Sequence, residues 1–211
     1  MVKSKIIAEG AESHIYSGNL FGFNLVIKYR HEKKYLAKEL DQLLRSQRTK
    51  TEARLLATAR LHGINVPAVL LVRRHALYIE RINGKTLNEK PNTSTVALSE
   101  ILKHAGRYLA QLHSIDIAHG DYTPANIMVD MQNKVWVIDF GLSLQTASLE
   151  EKALDILLMK RSISRKAFRA FIDSYSRHCA KNSAILGRLA EIEKRGRYQV
   201  RTLLAQQPPN S

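Results

Sequence analysis

His119-Gly120-Asp121-Tyr122-Thr123-Pro124-Ala125-Asn126 is followed, thirteen residues beyond Asn126, by Asp139-Phe140-Gly141. Two short apolar runs, Ile127–Val129 and Val135–Ile138, lie between them and read as a hairpin turning at Gln132-Asn133. This order suits phosphoryl transfer, which needs one carboxylate beside the attacking group and separate oxygen ligands that hold Mg²⁺ against the phosphates. Asp121 is the candidate for the first role. Asn126, on the same tight loop, and Asp139, at the end of the neighbouring strand, are the candidate metal ligands. The competing reading makes the two aspartates loop caps and Asn126 a turn former; each piece alone is a weak signal, and the chemistry rests on the ordered set.

Upstream of this stretch, Leu98, Ile101, Leu102, Ala105, Leu109 and Leu112 recur at helical spacing and predict an amphipathic helix ending near His113. Before that helix, Asn83-Gly84 and the region around Pro91 break the chain, which predicts two units, 1–82 and 83–211. The first unit reads as an antiparallel meander of short strands, Lys5–Glu9, Ile15–Ser17 and Phe23–Tyr29, separated by glycines. Two helical segments are expected next, one carrying Leu36, Leu40, Leu43 and Leu44, the other starting near Thr49 with Leu55, Leu56 and Ala59. A further strand pair, Val69–Val72 and Ala76–Glu80, completes it. Everything beyond Ser148 reads as helix, up to a frayed tail at Gln206–Ser211.

Lys28 occupies the last inward position of the apolar run Leu25-Val26-Ile27-Lys28, where an ammonium is costly without an anionic partner. ATP phosphates would supply one. By resemblance to kinases, whose lysine pairs with a carboxylate on the next helix, Glu52 is preferred over Glu39. Thr49-Lys50-Thr51-Glu52 also spells a capping box, in which Glu52 would reach back to its own helix start, so both readings stand. The turn Gly10-Ala11-Glu12-Ser13 has one glycine with which to face a phosphate. Glu12 in that turn engages Mg²⁺, holds the loop or points to solvent, and the sequence does not choose. Glu80 and Ile82, at the boundary between the units, join the nucleotide-binding candidates.

The chain of 211 residues, 45% hydrophobic and 25% charged, has the composition of an ordinary folded protein, not of a disordered or fibrous one. A single cysteine, Cys179, excludes an intrachain disulfide and Cys-based zinc. No apolar run approaches a membrane span, and a cytoplasmic protein without membrane contact is expected. The net charge of +14 points to a polyanionic partner. Between Lys160 and Arg201 twelve Lys or Arg face only Asp173, Glu191 and Glu193, with Lys194, Arg195, Arg197 and Arg201 grouped around Gly196. Nucleic acid contact is expected there, with Gly196 interrupting a helix.

The catalytic-loop stretch and the Asp-Phe-Gly triplet resemble their counterparts in protein kinases, which implies an α+β, two-lobed protein-kinase-like fold: a sheet-rich first lobe and a small, mostly helical second one. Three features depart from ordinary protein kinases. Gly120 stands where an arginine would read a phosphorylated activation loop. Only a short stretch separates Gly141 from Asp155, which looks like the buried aspartate of the following helix. Thr123 stands where a lysine usually meets the γ-phosphate.

More narrowly, GAES at Gly10, IKYR around Lys28, RTKTEARLL from Arg48, HGDYTPAN, IDFGLS, EEKALDILLMKR and RGRYQVR resemble the PRPK-like small atypical kinases, the kinase and ATPase subunits of the KEOPS tRNA-modification complex. The resemblance spans nearly the whole chain. It implies Mg²⁺ and ATP as cofactors, autophosphorylation and Ser/Thr phosphorylation, and ATP hydrolysis in support of threonylcarbamoyl modification of tRNA adenosine. The partners it implies are a KEOPS threonylcarbamoyltransferase subunit, a small helical KEOPS subunit and tRNA. Two other readings of the residues compete: a small-molecule phosphotransferase of the aminoglycoside or choline kinase type, and a nucleotide-gated scaffold without catalysis.

Overall fold

In a computed structural model describing residues 5–10, 12–20, 22–89 and 94–205, with backbone alone for Leu20 and 196–205, an antiparallel five-stranded sheet precedes residue 82. Its strands are β1 (Lys5–Glu9), β2 (His14–Leu20), β3 (Phe23–Tyr29), β4 (Val69–Val72) and β5 (Ala76–Glu80), in the order β1-β2-β3-β5-β4. The register of β3 against β5 sets Lys28 opposite Leu77, on the face that α1 covers, whereas Leu25 and Ile27 are buried with Ala76 on the other face, so Lys28 does not continue their inward side as the apolar run suggested.

One helix, α1 (Lys38–Leu61), crosses this sheet where two were expected. Its 24 residues contain neither glycine nor proline, so nothing in the chain stops helix propagation before its end. Thr49 does not start a helix; its hydroxyl donates to the Arg45 carbonyl one turn back, at 2.8 Å. The capping-box reading of Glu52 therefore falls away. The leucines expected on the first helix are not core residues either: Leu40 and Leu43 are exposed, whereas Leu55, Leu56 and Ala59 are fully enclosed. Burial of Leu55 and Leu56 is worth roughly 1.5–3 kcal/mol each, which seats the C-terminal half of α1 on the core. The helix ends in a Schellman motif: Gly63, at φ 76°, lets its own N–H reach the Arg60 carbonyl and that of Ile64 reach the Ala59 carbonyl.

At residues 81–83 the chain leaves the sheet. Strand β6 (Gly84–Thr86) pairs with β8 (Ile127–Asp130), which pairs with β9 (Val135–Val137). Between them runs α2 (Thr95–Ser114), started by the Ser94 side chain, which accepts from the Ala97 N–H. A two-residue strand, β7 (Ile117–Ala118), pairs with β10 (Leu144–Gln145), and α3 (Leu149–Ser162), α4 (Arg165–His178) and α5 (Asn182–Ala205) follow. Leu102, Leu109 and Leu112 of α2 pack with Phe171 and Tyr175 of α4 and with Ile156, Met159 and Leu189 in one core. Cys179 is a free thiol buried in this core. Helix α5 continues through Gly196, contrary to the expected break: with helix on both sides, one glycine costs only about 1 kcal/mol. Among the described residues no helix is long and apolar enough to cross a membrane.

Candidate active site

Loop 119–126 is held from both sides. The Asp155 carboxylate of α3 accepts the backbone N–H of His119 at 2.7 Å and that of Gly120 at 2.8 Å. Asp155 also accepts from Nε2 of His113, at 3.2 Å, which leaves His113 Nδ1 to accept the Tyr175 hydroxyl at 2.8 Å. Burial holds the His113 imidazole below its ordinary pKa, in keeping with that neutral tautomer. Tyr122, fully buried, donates to the Ala105 carbonyl at 2.7 Å and ties the loop to α2. His119, kept neutral by burial, spans the two halves of the site: its Nε2 donates to the Ile138 carbonyl at 3.1 Å and its Nδ1 accepts the Asp121 N–H at 3.3 Å.

Gly120 sits at φ 80°, and a Cβ there would lie 2.3 Å from the Leu142 carbonyl oxygen. The absence of an arginine at this position is thus also a steric requirement of the loop. Gly120→Ala must pay both the left-handed backbone and the clash, for an expected loss of at least about 2 kcal/mol. Urea unfolding of the variant measures this, and a loss under about 0.5 kcal/mol would contradict the geometry.

These anchors present Asp121 and Asn126 together. Asn126 Nδ2 donates to both the Asp121 carbonyl and Asp121 Oδ2, each at 2.8 Å, which leaves the Asn126 amide oxygen turned away from those bonds. Asp139 is in the left-handed region at φ 58°, made tolerable by the Gly141 N–H donating to its Oδ1 at 3.0 Å. That oxygen also accepts Lys28 Nζ at 2.6 Å, and among the described residues Oδ2 accepts nothing. Lys28, buried, makes its second ion pair with Glu52 Oε1 at 2.8 Å. Burial opposes the Lys28 charge, yet the two carboxylates outweigh it and raise the ammonium pKa. Partial desolvation likewise opposes the Asp139 charge, and Lys28 overcomes it to hold that carboxyl below its usual range.

Glu12 does not point to solvent. Both its oxygens accept Arg48 Nη1 at 2.7 Å, and Lys33 Nζ lies at 3.1 Å. Arg48 does most to lower the Glu12 pKa to about 2, against partial desolvation. Gly10 and Ser13 close this turn, the Gly10 N–H donating to the Ser13 carbonyl at 2.9 Å; Ala11 lies outside the described residues. The Glu80 carboxylate faces Arg60 and the Ala68 N–H, on the α1 side of the sheet, and Ile82 is half-buried on the connection to β6.

Sequence reasoning named Asp155 as a buried aspartate but missed its partners His113 and, through it, Tyr175, and missed Arg30, whose Nη2 holds Glu52 Oε2 at 2.7 Å. An arginine two residues beyond Lys28, just past the end of β3, falls on the same face as that lysine if the chain stays extended, and that parity was the available signal. The donor set fits a magnesium ion. Asn126 and Asp139 offer hard oxygens, and no cage of three or more His, Cys, Asp or Glu exists among the described residues. A site of this kind relies on phosphate and water to complete its octahedron.

A buried lysine–glutamate pair that reaches Asp139, in front of an Asp–Asn loop on a sheet and helical frame, defines a kinase-like protein. A RIO domain matches residues 15–178, and the chain belongs to this family of atypical kinases. The fold agrees: the Rio2 kinase–ADP/Mg²⁺–phosphoaspartate complex from Chaetomium thermophilum superposes with a TM-score of 0.66 over 93% of this chain and 71% of that one, at 15% identity. Within the RIO class the chain is of the Bud32 family. It is 32% identical to the KEOPS complex subunit Bud32 of Pyrococcus abyssi, over 96% of this chain and all of that one. It is 35% identical, over 92% of its length, to a probable bifunctional tRNA threonylcarbamoyladenosine biosynthesis protein of Methanobrevibacter smithii, and spans 36% of that longer protein.

Proposed function

We propose that this chain binds Mg²⁺–ATP between residues 1–82 and 83–211, cleaves its terminal phosphoryl bond, and does so as the kinase and ATPase subunit of a KEOPS-type complex that threonylcarbamoylates tRNA adenosine. The observation that carries this reading is Lys28, buried and doubly paired to Glu52 and Asp139 in front of the Asp121–Asn126 loop. Lys28 turns from Asp139 to the phosphates when nucleotide enters, and Glu52 keeps it aimed. The Gly10–Ser13 turn supplies backbone N–H groups above the phosphates, and Glu80 and Ile82 flank the adenine side. Asn126 through its amide oxygen and Asp139 through Oδ2 would hold Mg²⁺, which when bound neutralises charge on the β- and γ-phosphates. Asp121 accepts or directs the proton of the attacking hydroxyl, be it water or a Ser/Thr side chain.

The KEOPS assignment draws on the Bud32 relatives. In the Methanobrevibacter protein the matched region is joined to a further segment in one bifunctional chain. That bifunctional relative, named for threonylcarbamoyladenosine biosynthesis, supports a threonylcarbamoyltransferase unit as the proposed partner; a small helical KEOPS subunit is the second partner proposed. Cytoplasmic localisation goes with this role.

Transfer RNA is proposed to meet the basic surface of α4 and α5. Lys194 and Arg195 are exposed, Arg195 being paired to Glu150 at 2.8 Å; the side chains of Arg197 and Arg201 lie outside the described residues. Arg165, Lys166 and Arg169 of α4 line a groove with Lys160 beside Phe168 and extend this surface. Phosphate release from ATP, with and without tRNA, tests the reading: Mg²⁺-dependent release is expected, and its absence even with tRNA and the transferase subunit would overturn it. Neutralising Lys194, Arg195, Arg197 and Arg201 is expected to leave the KM for ATP unchanged, weaken tRNA binding, and flatten its salt slope by about 0.7–0.9 per lost phosphate contact. An unchanged slope returns the segment to a solvated helix face.

A further inference from the structure

Glu52 carries two cations, not one. Its Oε1 is bonded to Lys28 and its Oε2 to Arg30, and Lys28, Arg30 and Glu52 are all more than nine-tenths buried. A carboxylate with one buried partner can swing with it when that partner is drawn to a ligand. A second partner with a planar, always-charged fork fixes the carboxylate plane and leaves the first free to move. The other arm of Arg30, Nη1, lies 3.6 Å from Glu12 Oε2 in the Gly10–Ser13 turn. Arg48 of α1 and Lys33 of the β3–α1 connection hold Glu12 from the far side. The charges thus run without a gap from the turn, through Glu12, Arg30, Glu52 and Lys28, to Asp139. Lys28 and Arg30 also converge on Gly141, where an added Cβ would stand 2.9 Å from Lys28 Nζ and 3.6 Å from Arg30 Nη2.

We propose that Arg30 is a positioning residue that couples the Gly10–Ser13 turn to Lys28: with Glu12 as its anchor, it fixes Glu52 and so sets where the lysine and the turn stand relative to each other. Glu12 is accordingly a strut and not a metal ligand. An anion at Glu12 would repel a triphosphate if left free; three cations around it cancel that repulsion while using the charge to pin the turn. The proposal rests on the nucleotide reading above only for its catalytic consequence, since the coupling between residues 12 and 30 is a property of the fold itself.

The test is a double-variant cycle of Glu12→Gln and Arg30→Lys, which keeps the charge at 30 and removes the fork. Arg30→Lys is expected to lower kcat for ATP hydrolysis about 10- to 100-fold, Glu12→Gln by about 3- to 10-fold, and the pair no further than Arg30→Lys alone within twofold. The half-saturating Mg²⁺ concentration should stay within twofold in Glu12→Gln. Effects on kcat that multiply would overturn the coupling, and a tenfold rise in half-saturating Mg²⁺ would make Glu12 a metal ligand instead. Urea unfolding of the same four proteins reads the coupling without nucleotide: the two losses are expected not to add, and strict additivity would overturn the proposal even if the wild-type protein hydrolysed no ATP, an outcome that by itself counts against the nucleotide reading alone. Should Arg30→Lys fail to fold, Arg48→Met, at an exposed position, loosens the same chain from its outer end. A kcat within twofold of wild type in that variant would then refute the positioning role.

Discussion

Asp139→Ala is expected to abolish Mg²⁺-dependent ATP turnover, by three orders of magnitude or more, in a protein that remains folded. Three properties of the residue combine in that outcome. Its Oδ2 is the proposed carboxylate contact for the metal, and an alanine offers nothing in its place. Its other oxygen orients Lys28, so the variant also loses the resting alignment of the lysine proposed to meet the phosphates. Its left-handed backbone is supported by its own side chain through Gly141 N–H, and without that bond φ 58° becomes a strained conformation for alanine. The last effect costs about 1–2 kcal/mol, small against the core described above. With the Asp139 side chain 51% exposed, no cavity is left behind. Phosphate release, with circular dichroism and thermal unfolding as controls, measures the result. Hydrolysis within a few-fold of wild type in the folded variant would remove Asp139 from the metal site.

Asp121→Asn is the second large effect, an expected loss of roughly 10²- to 10⁴-fold in kcat if the carboxylate takes the proton of the attacking group. The substitution is informative because it disturbs so little else. An asparagine can present its amide oxygen to Asn126 Nδ2 and keep the 2.8 Å bond, and the backbone bonds from Thr123 N–H and to His119 Nδ1 do not involve the side chain. What disappears is the negative charge and the ability to accept a proton. A loss below tenfold would assign Asp121 to orienting the nucleophile, the step in which an amide oxygen serves nearly as well as a carboxylate oxygen.

The parts of this site that could be read from the chain were those encoded by local spacing. The hairpin between Asn126 and Asp139 and the strands β3, β4 and β5 follow from alternation and turn residues, whereas Lys28 is buried on the face opposite Leu25 and Ile27, because α1 brings Glu52 over it. The choice between two uses of Glu52 did not, because a capping box and a buried ion pair begin from the same four residues. Only the continuation of α1 through Thr49 separates them: in mid-helix the threonine hydroxyl returns to the Arg45 carbonyl, and there is no free helix start for Glu52 to cap. The two-helix reading failed for a related reason. Leu40 and Leu43 repeat at helical spacing without being buried, so their pattern carried no information on where a helix begins or ends.

By itself the sequence determined the order of chemical groups: a lysine at the inner end of a strand, an Asp–Asn loop behind an amphipathic helix, an aspartate after a short hairpin, and a strongly basic C-terminal third. These survive because they depend on periods of two and 3.6 residues and on turn chemistry, which act over a few positions. The tertiary structure alone decided which charge meets which. Arg30 lies 22 residues from Glu52 in the chain, Glu12 lies 36 from Arg48, and Lys28 lies 111 from Asp139. No local pattern distinguishes a buried pair from two surface charges at such separations; the distinction arises when α1 docks on the sheet and β9 brings Asp139 beneath it, and desolvation makes the pairing of Glu52 with Lys28 and Arg30 obligatory while Glu12 and Arg48 meet at the surface.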